Sequence, residues 1–207
     1  MLMKILNSSL KAFFGFTLAF VAASTIQATV EVGKAAPEFS LKDINGVAHS
    51  LSDFKGKTVV LEWVNPECPF VGKHYRSGNI PKLQKSAKAD GVVWLSVNTG
   101  QPGDQGVYDA ARHAKWAKSV NASPSAYLRD PDGQVGRLYG AKATPHMYVI
   151  NGDGTLVYNG AIDSIRSADA KDIAKAENYV ASALAAVKAG KPVATATSQP
   201  YGCAVKY

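Results

Sequence analysis

At 207 residues, with 46% hydrophobic content and three tryptophans, the chain can bury one substantial core and is too short for two comfortable domains. Its formal charge is +7, its lysines are scattered, and no basic stripe is interleaved with aromatics, so nucleic acid is excluded as the partner that the composition suggests. The cysteines number two, Cys68 and Cys203, an even pair that permits a disulfide in an exported protein and means little in a cytosolic one.

Lys4 and Lys11 precede the apolar run 12–23, and Ile26-Gln27-Ala28 offers a small residue for cleavage. This pattern predicts a secretory signal peptide over residues 1–28, too short for a transmembrane span, and hence an exported, periplasmic protein. No second membrane segment is expected. The mature chain then reads as one domain over residues 29–190 with a tail over 191–207.

Asn45-Gly46 between short extended segments predicts a hairpin. The run Thr58 to Val64 is too apolar for a strand with one wet face and predicts a central strand covered on both sides. Asn65-Pro66 stops it, and Cys68-Pro69 opens a helix with Cys68 as the N-cap residue, since proline suits the first helical position. A thiolate there meets unpaired backbone N–H groups and the positive end of the helix dipole, which lowers its pKa. The helix weakens at Ser77-Gly78-Asn79, giving either one kinked helix or two short ones. Val92 to Val97 predicts a second buried strand, and strand, helix, strand implies a parallel crossover.

Residues 98–106 form a glycine-rich loop. A helix over 109–119 is expected to place Ala110, Ala114 and Ala117 on one face and His113 on the surface. Tyr127-Leu128 is a short strand, Asp130 to Gly133 a turn, and Gln134 to Tyr139 a short helix. Thr144-Pro145 introduces a hairpin with an Asn151-Gly152-Asp153-Gly154 turn. A long helix is expected from Asp169 to Ala189, with Ile173, Val180, Leu184 and Val187 as its stripe, ended by Gly190. The tail ends in Tyr201-Gly202-Cys203-Ala204-Val205-Lys206-Tyr207 and reads as a tether with a docking tip. At roughly 3.3 Å per extended residue, the stretch from Ala189 to Cys203 reaches about 45 Å, enough to bring Cys203 to Cys68.

This order of elements resembles the thioredoxin-like superfamily, an α/β fold with a central mixed sheet flanked by helices, here with an N-terminal hairpin extension. Ala36-Pro37-Glu38-Phe39 through Leu51-Ser52-Asp53-Phe54-Lys55-Gly56-Lys57 resembles its redoxin branch, the alkyl hydroperoxide reductase and thiol-specific antioxidant family. Cys68-Pro69-Phe70-Val71, Lys73-His74-Tyr75, Ala143-Thr144-Pro145-His146-Met147-Tyr148 and Pro200-Tyr201-Gly202-Cys203 resemble exported peroxiredoxin-like proteins. There are departures. Where peroxiredoxins carry Pro-x-x-x-Thr-x-x-Cys, this chain has Leu61 and Asn65, and Pro145 stands where their peroxide-binding arginine is expected. The second cysteine of a thioredoxin Cys-x-x-Cys is Val71 here.

The resemblance implies a thiol oxidoreductase in which Cys68 attacks and Cys203 resolves, acting on a thiol or disulfide protein partner or a hydroperoxide, without a cofactor. It implies that Pro145 is cis. Pro145, Thr144, Trp63, Asn65 and Glu67 would line the substrate groove, although Glu67 reads equally as a solvent-facing turn residue. Two alternatives stand beside this. One is a copper-binding protein using Cys68, Cys203 and His146, with His74 as a further ligand; the other is a redox-inactive thioredoxin-fold module.

Overall fold

In the computed structural model, which describes residues 30–207, strand β3 (Val59–Trp63) is buried at every position, as its unbroken apolar run requires. The leader expected over residues 1–28 lies outside the described residues. Strand β4 (Val93–Thr99) pairs parallel with β3, Val59 opposite Val93 through Trp63 opposite Val97. On the other side of β3 lies β7 (His146–Ile150), antiparallel. β5 (Ala126–Asp130) extends the sheet parallel to β4, and the hairpin of β1 (Ser40–Asp43) and β2 (Ala48–Ser50) continues beyond it. β8 (Leu156–Gly160) forms the opposite edge, so the order is β2-β1-β5-β4-β3-β7-β8. The expected central sheet is therefore present, with the late hairpin beside the strand that leads to Cys68.

Helices α1 (Pro69–Arg76) and α2 (Asn79–Ala89) are two separate helices, because Gly78 takes φ +77° between them. α3 (Ala110–Ser119), α4 (Gln134–Tyr139) and α5 (Tyr179–Lys188) follow. Side-chain alternation along β3 divides the core. Val60 and Val64 pack with Cys68 and with residues of α1, α2 and α5 on one face, whereas Leu61 and Trp63 pack with Tyr139 and Tyr148 on the other. Among the described residues no helix is long and apolar enough to cross a membrane.

Three expectations are corrected. The C-terminal helix begins at Tyr179, not near Asp169: Asn178 caps it by accepting the Ala181 N–H, and 161–178 is irregular apart from a 3₁₀ turn at Ala170–Asp172. His113 is 7% exposed and faces the core, while Ala110 and Ala114 face solvent. Its ring lies 3.7 Å from that of Tyr127 and 5.6 Å from that of Trp116, and such rings bury far more area than an alanine face. The tail docks at its tip as expected, but it is also held upstream of the tip and is not a tether. Ser198 is bound between Tyr158 and the Ala161 N–H, and β9 (Cys203–Ala204) pairs antiparallel with β6 (Ala143–Thr144).

Candidate active site

The turn from β3 into α1 is built by Asn65. Its carbonyl accepts the Cys68 N–H at 3.0 Å, its Oδ1 accepts the Glu67 N–H at 2.9 Å, and its Nδ2 donates to the Gln105 carbonyl at 3.1 Å. Gly106 lets this amide in, for a Cβ at that position would stand 1.8 Å from Asn65 Oδ1. Cys68 is the N-cap of α1, with extended backbone, and Pro69 is the first helical residue, as the sequence predicts. The thiol is 3% exposed and donates to the Thr144 carbonyl at 3.1 Å. Burial works to raise the Cys68 pKa, but the Cys203 thiol and the Val71 N–H of the first helical turn favour the thiolate and bring it below the ordinary value.

The Thr144–Pro145 peptide is cis, as expected. It ends β6, whose pairing with β9 sets Thr144 opposite Cys203. Thr144 Oγ1 donates to the Cys203 carbonyl at 3.4 Å. Gly202 makes this approach possible: it has φ +137°, and a Cβ there would lie 2.0 Å from the Thr144 carbonyl oxygen. Both cysteines are free thiols and neighbours. Burial, together with hydrogen bonding and charge from Cys68, pushes the Cys203 pKa up, so the two thiols are driven in opposite directions.

Glu67 sits half-buried at the rim, where its carboxylate accepts from Arg112 Nη2 at 2.8 Å. The Arg112 guanidinium also lies 3.9 Å over the Tyr108 ring. Trp63 does not line the approach. It is fully buried on the opposite face of the sheet, packed against Tyr139 and Tyr148, with its indole N–H on Thr99 Oγ1 at 3.1 Å. The position of Trp63 follows from the pleat: it alternates with Val64, which faces Cys68. His146 is occupied by Asn159 at 2.8 Å and by Tyr148 at 3.0 Å. Among the described residues no three His, Cys, Asp or Glu side chains converge as a metal site, so the copper ligand set is not assembled.

Residues 32–159 match the AhpC/TSA family. The chain belongs to that family. This AhpC/TSA protein is 30% identical over 152 residues to the thiol-disulfide oxidoreductase ResA of Geobacillus thermodenitrificans, an alignment covering 70% of this chain and 77% of that one. It is 31% identical over 149 residues to the chloroplastic peroxiredoxin Q of Populus jackii, covering 66% and 63%. A crystal structure of a hypothetical protein from Sinorhizobium meliloti 1021 shares the fold, with TM-score 0.70 and 24% identity over 87% of this chain and 96% of that one. The chain is thus a thioredoxin-like oxidoreductase of the AhpC/TSA family.

Two clusters of this AhpC/TSA chain escape sequence reasoning, and both hang from the consecutive residues Lys73, His74 and Tyr75 of α1, all buried. Tyr75 donates to Glu62 Oε2 at 3.0 Å, alongside Trp94 Nε1 at 2.7 Å and Ser96 Oγ at 3.0 Å. Burial lifts the Glu62 carboxyl to about 6 against these donors. Lys73 Nζ meets Asp163 Oδ2 at 3.3 Å, the Ile165 carbonyl at 3.2 Å and Tyr201 Oη at 3.4 Å. Asn79 Nδ2 donates to His74 Nδ1 at 2.8 Å, which leaves Nε2 to donate to Tyr201 Oη at 3.3 Å, and Tyr201 in turn donates to Asp163. The signal in the sequence is weak, because Lys73, His74 and Tyr75 sit in the polar C-terminal half of a short helix and most of their partners lie far along the chain.

Proposed function

We propose that this protein is an exported thiol-disulfide oxidoreductase in which Cys68 is the attacking thiolate and Cys203 the resolving thiol. The observation that carries the reading is the seat of Cys203: strand β9 holds it opposite Thr144, whose carbonyl accepts from Cys68. The depressed Cys68 pKa raises its thiolate fraction, and the raised Cys203 pKa keeps the second thiol protonated in reserve. Export is supported by the leader-like composition of residues 1–28 and by the cysteine pair itself.

In the reaction, the Cys68 thiolate attacks one sulfur of a disulfide; that bond breaks, and the distal sulfur leaves as a thiolate that takes up a proton. Cys203 then gives up its proton and attacks the Cys68 sulfur of the mixed disulfide, releasing the second substrate thiol. The substrate gains two electrons and the cysteine pair loses two; a dithiol donor reverses the sequence. Thr144 and the cis Pro145 bound the groove beside the reacting sulfur, while Asn65 fixes the turn that presents it. A hydroperoxide is less well served. Both hydrogen-bonding ends of the Asn65 amide are engaged, Leu61 faces the opposite core, and the position of the expected arginine is Pro145.

Stopped-flow reaction of the reduced protein with a small disulfide and with hydrogen peroxide tests this, together with non-reducing peptide mapping. The expected results are faster reaction with the disulfide, an intrachain Cys68–Cys203 bridge, and a mature N-terminus following Ala28. Cys203 found free, or bridged only between chains while Cys68 is oxidised, overturns the resolving role.

A further inference from the structure

Residues 199–206 bridge two fixed points. Ser198 is held by Tyr158 at 2.7 Å and by the Ala161 N–H at 2.9 Å. Tyr207 donates to the Ala141 carbonyl at 2.6 Å, and its ring is stacked under Arg137 at 4.6 Å. Between them Val205 donates its N–H to the Lys142 carbonyl at 3.4 Å, and two further features press the segment against Cys68. The first is the short β6–β9 ladder, which requires Gly202 against the Thr144 carbonyl. The second is Tyr201, whose ring packs edge-on to Phe70 at 5.8 Å and whose hydroxyl enters the buried Lys73, His74 and Asp163 cluster. With the segment in place Cys68 is 3% exposed.

We propose that residues 199–206 form a latch locked by Tyr201 that selects substrates by size: a small disulfide reaches Cys68 once Cys203 alone yields, and a protein disulfide only when the whole latch opens. The inference rests on the reading of Cys68 as the attacking thiol. Cys68 is covered, so a small disulfide needs Cys203 to move off the sulfur and no more. A protein disulfide carries flanking backbone on both sides and must occupy the space beside Thr144 that β9 fills. Its rate is therefore scaled by the fraction of molecules with the whole latch open, whereas the small-disulfide rate follows only the local displacement of Cys203. Tyr201 is in these terms a positioning residue, acting through the segment it holds.

The test compares the second-order rate constants for reduced protein with 2-hydroxyethyl disulfide and with insulin, in the unmodified chain and in two variants. Tyr201→Phe keeps the ring against Phe70 and removes the hydroxyl from the cluster. Gly202→Ala leaves the cluster intact and opposes the β6–β9 ladder directly. Losing a hydrogen bond to a charged group should shift the open fraction about tenfold, so Tyr201→Phe is expected to raise the insulin-to-small-disulfide rate ratio about tenfold, and Gly202→Ala, which sets a Cβ against the Thr144 carbonyl, is expected to raise it as well. Circular dichroism and thermal melting confirm that the variants are folded. Ratios equal to that of the unmodified chain in both folded variants overturn the latch while leaving the attacking role of Cys68 intact. Rates that fall together with both substrates mark a purely structural role and also overturn it. A protein inert to both disulfides, yet alkylated at Cys68, removes the thiol-exchange reading first and the latch with it.

Discussion

Two buried carboxylates flank α1, and their surroundings differ in kind. Glu62 is met by neutral donors from α1, α2 and β4, all within the sheet-and-helix unit around β3. Asp163 is met by a cation, an imidazole and a phenol contributed by α1 and by the tail. The first arrangement leaves a charge poorly compensated, and the carboxyl responds by binding its proton more tightly. The second pairs opposite charges out of water, where the attraction is strong but each partner depends on the other. The Glu62 cluster fastens elements that would pack anyway. The Asp163 cluster fastens the segment that carries Cys203, through the hydroxyl of Tyr201.

The largest expected effect follows from breaking the ionic cluster. Asp163→Asn leaves Lys73, whose side chain is fully buried, with no counter-charge and should cost about 3–5 kcal/mol of stability at pH 7 in urea titration. Replacing both partners, as Lys73→Met with Asp163→Leu, should recover most of that loss, because a well-packed apolar pair is often equivalent to a buried ion pair. A single substitution costing under about 1 kcal/mol, or a double variant no better than the single, would show that the pair is not what fastens the tail.

A smaller effect distinguishes the neutral cluster. The Glu62 carboxyl is raised from 4.5 to about 6, so between these values the folded chain holds a proton that the unfolded chain has lost. Its contribution is therefore fully favourable below pH 4.5 and is lost as pH rises through about 6, amounting to about 2 kcal/mol for a fully buried group. His74, His113 and His146 are depressed to about 4, chiefly by burial, and act oppositely, weakening the fold as pH falls below 6.5. The Glu62 part is isolated by subtraction: stability of the unmodified chain minus that of Glu62→Gln should fall by about 2 kcal/mol between pH 4 and pH 7. A pH-independent difference would mean that the carboxyl is not desolvated as described.

How far the molecule was legible follows the same division. The neighbourhood of β3, with its apolar run, its stop at Asn65-Pro66 and Cys68 before Pro69, is written in adjacent residues, and the fold repeats it. The parallel crossover and both hairpin turns were legible for the same reason, since turn chemistry is local. The docking tip of the tail was legible in its composition, but its partners were not, because Ser198, Tyr201 and Tyr207 bind residues that no spacing rule connects to them. Trp63, expected in the groove, lies on the other face because the strand's alternation sends it there. His113 was read as a surface residue because a lone histidine among alanines carries no sign of the two aromatic rings that receive it.

The smallest effect lies between the two clusters, at the thiols themselves. Burial disfavours the thiolate of Cys68, and among the interactions that outweigh it the hydrogen bond from Cys203 ranks first, ahead of the Val71 N–H. Replacing Cys203 by alanine should therefore move the midpoint of the Cys68 alkylation profile upward while keeping it within the range of a helix-capped thiol, because the Val71 N–H remains. The same substitution thins the cover over Cys68, and by itself that would speed alkylation at every pH. The two consequences separate in the measurement: access sets the plateau rate at high pH, whereas charge stabilisation sets the pH at which half that plateau is reached. An iodoacetamide profile with a raised plateau and an unmoved midpoint would show that Cys203 covers Cys68 without tuning it. A midpoint that shifts upward places the tail's thiol among the groups that make Cys68 reactive.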